Sequence, residues 1–171
     1  MTTSSAPLRT APPGGPAPAA AVSGDTQPPQ TILSIPPELH DDQLIVRMGI
    51  RITSWDPERL VGTMPVKGNQ QPFGWLHGGA NAVLAETLGS IAAGLHVAPR
   101  GAVVGLEVSC THHRPARGGE VTAVCTPLHR GDRVATYTVS ITDDKGRLTS
   151  SARVSCLVQK RGARAEDRSH R

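Results

Sequence analysis

The sequence predicts an α+β domain in which an antiparallel sheet curls around one apolar helix. Two observations lead there. Residues 71–93, QPFGWLHGGANAVLAETLGSIAA, read as a two-glycine loop opening a long helix of Ala, Gly, Leu and Val. A helix that is apolar nearly all round has to be buried. Around it lie strand patterns joined by short turns, two before the helix and four after it, and short connections require antiparallel neighbours.

Taken in order, residues 1–30 hold seven of the chain's 15 prolines, with many Ala, Gly and Ser and almost no large apolar side chains. Such a segment cannot bury enough surface to offset its ordering entropy, so it reads as a disordered tail. It lacks the apolar stretch of a secretory signal, and a single Arg is thin support for a transit peptide. Pro36-Pro37 precedes ELHDDQLIVRMG, an amphipathic pattern for a short helix that Gly49 can end. Residues 50–66 alternate around Asp56-Pro57 as a hairpin does. The glycine loop and helix run over about 76–95. After Pro99-Arg100-Gly101, strand patterns follow at 102–113, 120–129, 133–142 and 148–158. Their turns are Arg117-Gly118-Gly119, Arg130-Gly131-Asp132 and Asp143-Asp144-Lys145-Gly146. Residues 160–171 read as a second, basic disordered tail, leaving 31–159 as one domain of ordinary size.

Charge and cysteine usage narrow the function classes. Five Lys/Arg against two Asp/Glu in residues 160–171 supply +3 of the chain's +4. The high pI therefore belongs mainly to a tail and is weak evidence for nucleic-acid binding, and no nucleic-acid partner is expected. Cys110, Cys125 and Cys156 form no CxxC and sit in strand patterns, where free Cys behaves as a small hydrophobe. No apolar run reaches the roughly 18 residues of a membrane span, and the chain reads as cytoplasmic.

Chemistry concentrates in the loop and helix. Gly78 and Gly79 can leave amides bare at a helix start, where the macrodipole favours negative charge. Glu86 is a carboxylate among Ala82, Val83, Ala85, Gly89 and Ala93, an expensive position unless the charge is used or paired. Ser90, four residues on, shares its face. An oxyanion binder and a carboxylate in one segment suggest acyl transfer. The ordinary reading of Gly78 is a tight turn needing φ > 0, and that of Ser90 a hydroxyl bonded back to its own helix. Adjacent His112 and His113 point to opposite faces of a strand, and with Cys110 they lack zinc spacing, so no metal is expected. Phe73 and Trp75 either line an acyl pocket or pack under the loop.

The Q-x5-HGG-x5-AE-x3-S pattern, together with VVGLEVSCTHHRPARGG and LHRGDRVATYTVSITDDKGRLTSSARVSCLV, resembles the hotdog fold. It is similar in particular to the 4-hydroxybenzoyl-CoA thioesterase-like acyl-CoA thioesterases of the phenylacetic-acid-degradation type. The likeness runs from about residue 39 to 158 and is closest to the branch acting on aromatic acyl-CoA such as 1,4-dihydroxy-2-naphthoyl-CoA. It implies a sheet of five to six antiparallel strands wrapped around a long central helix, and hydrolysis of an acyl-CoA thioester without a cofactor. By the resemblance, Glu86 is nucleophile or general base, and the Gly78 amide, supported by Gly79, meets the thioester oxygen. His77 polarises the carbonyl, Gln71 holds the thioester and attacking water, and Ser90 assists. Gly105, the segment His112-His113-Arg114-Pro115 and the loop His129-Arg130-Gly131-Asp132-Arg133-Val134 are implied to hold CoA and the acyl group. Arg114, Arg130 and Arg133 suit phosphates, since guanidinium forks bind them bidentately, but solvated turn charges read the same way.

Gly78 and Glu86 are eight residues apart, about 12 Å along a helix at 1.5 Å per residue. One carbonyl is not expected to reach both on the same helix. The site should combine Gly78 of one subunit with Glu86 of another, making a homodimer obligatory; the family implies further pairing into a homotetramer. Two alternatives carry different signatures: a hotdog hydratase or dehydratase would turn over an enoyl-CoA without releasing thiol, and an acyl-CoA sensor would bind without hydrolysis.

Overall fold

The computed structural model describes residues 42–99 and 101–160. Its elements are α1 (Leu44–Arg47), β1 (Arg51–Asp56), β2 (Arg59–Pro65), α2 (Gly78–Val97), β3 (Gly101–His112), β4 (Glu120–Arg130), β5 (Val134–Thr142) and β6 (Leu148–Lys160). The expected tails at 1–30 and 161–171, and positions 38–41 of the expected first helix, lie outside the described residues. Strand β6 takes in Lys160, which the sequence reading gave to the tail.

Within the described residues α1 is a single turn. It closes as a Schellman motif: Ile50 N–H donates to Ile45 C=O, Gly49 N–H to Val46 C=O, and Gly49 takes φ 66°. The β1–β2 hairpin turns at Pro57, where Asp56 accepts from the Glu58 N–H at 2.8 Å.

Six antiparallel strands form one sheet in the order β1-β2-β4-β5-β6-β3. The expectation that short connections make all successive strands neighbours fails once. β3 pairs with β6, not with β4. Crossing from the edge to the third strand inward spans three spacings, about 14 Å at 4.8 Å each. Seven residues, 113–119, bridge that easily at about 3.3 Å apiece. Leu76 N–H donates to the Ala116 carbonyl, tying this crossing to the loop before α2.

Helix α2 lies on the sheet through Ala80, Leu84, Leu88 and Ala92, and through Ala85, Gly89, Ala93 and Val97. Leu84 and Leu88 are fully buried, each worth about 1.5–3 kcal/mol relative to exposure. Gly89 sets the closeness of approach, because a Cβ there would stand 2.6 Å from Val154 Cγ1. The facing strands alternate accordingly: Val121, Ala123 and Cys125 of β4 and Ala135, Tyr137, Val139 and Ile141 of β5 point inward.

Candidate active site

His77 is the N-cap of α2, and its Nδ1 accepts from the Gly79 N–H at 2.8 Å. That bond places the proton of a neutral His77 ring on Nε2. It also occupies the Gly79 amide, which was expected to support oxyanion binding directly. Among the described residues no group accepts from the Gly78 N–H. One backbone donor at a helix N-terminus is therefore available. Gly78 does not have positive φ, so the tight-turn reading is wrong. The reason for glycine is space: a Cβ would lie 2.7 Å from His112 Nε2.

The approach loop is held by backbone bonds and by Asn69. Gln71 N–H donates to Trp75 C=O, Gly74 N–H to Gln71 C=O, and His77 N–H to Asn69 C=O. Asn69 Nδ2 reaches the Met48 and Pro65 carbonyls at 2.9 Å each. Trp75 packs under Arg117, whose guanidinium carbon is 5.0 Å from the ring centroid, a cation–π contact. Phe73 instead projects outward, 80% exposed. Gln71, Trp75, Gly78, His112, Arg114 and Pro115 surround a recess of 280 Å³.

His112 and His113 point to opposite sides as expected. His112 Nδ1 lies 3.1 Å from Ser150 Oγ, and His113 Nε2 lies 2.8 Å from Ser151 Oγ. Arg114 reaches the Leu148 carbonyl, and its backbone N–H, like that of His113, is taken by Thr149 C=O.

Glu86 belongs to a second cluster. It is exposed in the single chain, against the expectation of burial among small apolar neighbours. Those neighbours divide by face: Leu84, Ala85, Leu88 and Gly89 meet the sheet, while Glu86 stands on the flank beside β3. A Cβ on Gly105 would come 3.1 Å from Glu86 Oε1. Burial pushes the Cys156 thiol up, the nearby Ser90 hydroxyl opposes the shift, and the Glu86 charge adds to it. Val83, Glu86, Thr87, Ser90 and Ile91 line a recess of 390 Å³. Gly105, Cys156 and Ala135 stand side by side in register across β3, β6 and β5. The β4–β5 loop is the next row outward, with Val134 paired to Leu157 and Leu157 to Val104.

In that loop Gly131 N–H donates to Val134 C=O, the Arg133 carbonyl accepts from Val158 N–H, and a Cβ on Gly131 would come 2.8 Å from His129 Nε2. Asp132 and Arg133 are exposed. Arg130 is engaged elsewhere: it pairs with Glu58 at 2.6 Å and donates to the Pro57 carbonyl. Glu58 raises the Arg130 pKa further, and the guanidinium lowers that of the buried Tyr137 hydroxyl against the larger upward effect of burial. A larger apolar recess of 570 Å³, between α1, Ile52 and Trp55, adjoins the Glu86 recess through Gln43 and Ile45; its charged residues Arg51 and Glu120 pair with each other.

One chain thus carries two separate candidate clusters. One gathers Gln71, His77, Gly78 and the 112–115 segment; the other gathers Glu86, Ser90 and Gly105, with the 129–134 loop beyond them. Comparison with known proteins names the chemistry. Residues 73–150 match the family model described as the thioesterase superfamily. The 1,4-dihydroxy-2-naphthoyl-CoA hydrolase of Escherichia coli K12 is 45% identical over 112 residues, 65% of this chain and 82% of that one. The chain belongs to the thioesterase superfamily. A proofreading thioesterase EntH from Cronobacter turicensis is 44% identical over 116 residues, covering 67% of this chain and 85% of its own. Among solved structures, a thioesterase from Haemophilus influenzae superposes with TM-score 0.69 at 33% identity, over 75% of this chain and 90% of that one. The molecule is a hotdog-fold thioester hydrolase.

Three residues of the first cluster are not singled out by the sequence: Asn81, Ser150 and Arg117. Asn81 did carry a signal, a lone amide between alanines on an apolar helix, of the same kind that singled out Glu86. Ser150 and Arg117 sit in polar stretches that offer no contrast.

Proposed function

We propose that this thioesterase hydrolyses an aromatic acyl-CoA to the free acid and CoA, in an active site shared between two subunits. The observation that carries the reading is the unpartnered Gly78 N–H at the start of α2, beside a recess walled by His112 and Arg114. Such a donor suits the oxygen that becomes negative as the thioester carbon turns tetrahedral. Glu86 of the partner subunit serves as general base for water or as nucleophile; the C–S bond breaks, and CoA leaves as the thiol after taking a proton. His77 Nε2–H and Gln71 orient the carbonyl and the water. The partner's Ser90 supports its Glu86. Gly105, His112, His113, Arg114, Pro115 and the 129–134 loop form the walls against CoA and the acyl group. The aromatic class rests on the likeness to the dihydroxynaphthoyl-CoA hydrolase.

Sharing is supported by the separation of the two clusters and by the exposed edge. β3 is a 12-residue edge strand with Val104, Leu106 and Val108 exposed at 55%, 56% and 37%. An open, apolar edge of that length is a template for a second strand. Two β3 strands pairing antiparallel about a two-fold axis near Val108–Ser109 would set Gly105 of one opposite His112 of the other. Glu86, which stands beside Gly105, would then approach Gly78 of the partner, which stands beside His112. A homodimer of this kind, pairing further into a homotetramer, is the working assembly, and the cytoplasm its compartment. No nucleic acid or membrane partner is part of the reading.

The test is a panel of aromatic and medium-chain acyl-CoA thioesters scored by kcat/KM from thiol release. Aromatic thioesters should lead. Hydration of enoyl-CoA without thiol release, or tight binding without turnover, would refute the reading.

A further inference from the structure

Behind the Gly78 recess lies a buried polar relay that ordinary core packing does not require. Asn81 is 5% exposed and Ser150 is fully buried. Asn81 Nδ2 donates to Ser150 Oγ at 2.9 Å, and Ser150 Oγ lies 3.1 Å from His112 Nδ1. Asn81 Oδ1 finds no partner among the described residues. A buried amide oxygen left unpaired costs about 1–3 kcal/mol, so an apolar residue would be the cheaper choice on this face of α2.

The direction of each bond follows from proton counting. A serine hydroxyl has one proton to give. With the Asn81 amide donating into the Ser150 oxygen, the hydroxyl proton is directed to the remaining neighbour, His112 Nδ1. The Cys110 thiol, 3.9 Å from the same nitrogen, is only a weak partner. A neutral imidazole that accepts at Nδ1 carries its proton on Nε2. Nε2 is the atom that faces Gly78, standing 2.7 Å from the point where a Cβ would be.

We propose that Asn81 and Ser150 are positioning residues that lock His112 in its Nε2–H tautomer, aiming a second N–H donor beside the Gly78 amide at the thioester oxygen. This rests on the thioesterase reading of the recess and adds to it a donor whose proton is set by the relay. His112 itself meets the reacting group; Asn81 and Ser150 act through it. Were the Asn81 amide turned over, Oδ1 would accept the Ser150 proton. His112 would then have to donate from Nδ1, and Nε2 would present a lone pair that repels an oxyanion.

Ring-nitrogen NMR of the full-length, 15N-labelled protein at mildly alkaline pH reads the tautomer directly, with His112 assigned by the signals lost in His112→Gln. The wild type should show one tautomer at His112, protonated at Nε2. Ser150→Ala and Asn81→Leu should both give a mixture of tautomers. In both, kcat should fall about tenfold with KM changed less than twofold, while Ser150→Thr should keep tautomer and rate. A purely structural role would lower thermal stability without moving either the tautomer or kcat. An Nδ1-protonated His112 in a wild-type protein that cleaves thioesters would overturn this proposal and leave the thioesterase reading standing. So would unchanged tautomer and kcat in both relay variants. A wild type with the stated tautomer that cleaves no thioester would instead fail the functional reading.

Discussion

At the scale of single residues, the chemistry divides between groups whose surroundings announce them and groups that only the folded chain reveals. Glu86 stands out in the sequence by contrast with its apolar neighbours, and its catalytic role is the proposal tested below. The expectation of burial was wrong, because a helix flank beside an open edge strand stays exposed in one chain. Replacing Glu86 by Gln should lower kcat by about 10²–10⁴-fold, the usual worth of a positioned acid or base, with the thermal midpoint unchanged; Glu86→Asp should retain a little. Normal turnover by purified Glu86→Gln would remove Glu86 from the mechanism. The cysteines were legible as small hydrophobes, and burial pushes the Cys125 thiol up to about 12. A thiol-directed alkylating reagent on the native protein should therefore modify half-buried Cys110 first, with Cys125 and Cys156 slow until unfolding. Mass mapping of the adducts checks this.

Elements were legible to within a residue or two wherever periodicity and turn residues agreed. The β5–β6 turn is the clearest instance, since Asp143 organises it. Its buried carboxylate accepts from the Lys145 and Arg147 amides and from the Arg147 guanidinium at 2.8 Å. Those bonds, the Arg147 side chain above all, lower its pKa below the ordinary carboxylate value of 3.8. A carboxyl depressed in the folded state stabilises above its unfolded pKa and loses that contribution as pH falls through the folded pKa. Asp143→Asn should therefore cost about 1–3 kcal/mol at neutral pH, and the gap to wild type should narrow as pH falls below the ordinary carboxylate value of 3.8. A gap that is constant from neutral to acid in denaturant titrations would contradict the assignment. Helix packing gives the second element-scale prediction. Gly89→Ala drives a methyl into Val154 and should cost about 1–3 kcal/mol by overpacking, read as a fall in thermal midpoint. The pairing of β3 with β6 was not legible. A seven-residue connection fits both a wide hairpin and a crossing, and what decides between them is the helix occupying the concave face.

For the whole molecule, the sequence already carries the fold class and the eight-residue spacing on which the proposal of a shared site rests. What it lacks is the relation between the two clusters, since that depends on which strand is left at the edge. Val104 and Leu106 stand exposed on the edge strand β3, and the proposed dimer would cover them. Leu106→Arg should yield folded monomers by sedimentation with hydrolysis lost; an active monomer would sink the dimeric site. The composition of residues 1–30 and 161–171 leaves little to bury, so a chain trimmed to 31–160 should keep its activity and melt within a few degrees of the full chain. The most direct measurement mixes two inactive proteins. Glu86→Gln subunits are co-refolded with subunits carrying Gly78→Val, a residue too large for the space beside His112. Each hybrid dimer then has one site with an intact glycine and an intact glutamate, and the other with neither. With random pairing about half the dimers are hybrids, so roughly a quarter of wild-type activity should return. Hybrids verified by mass that stay as inactive as either parent would contradict the shared active site.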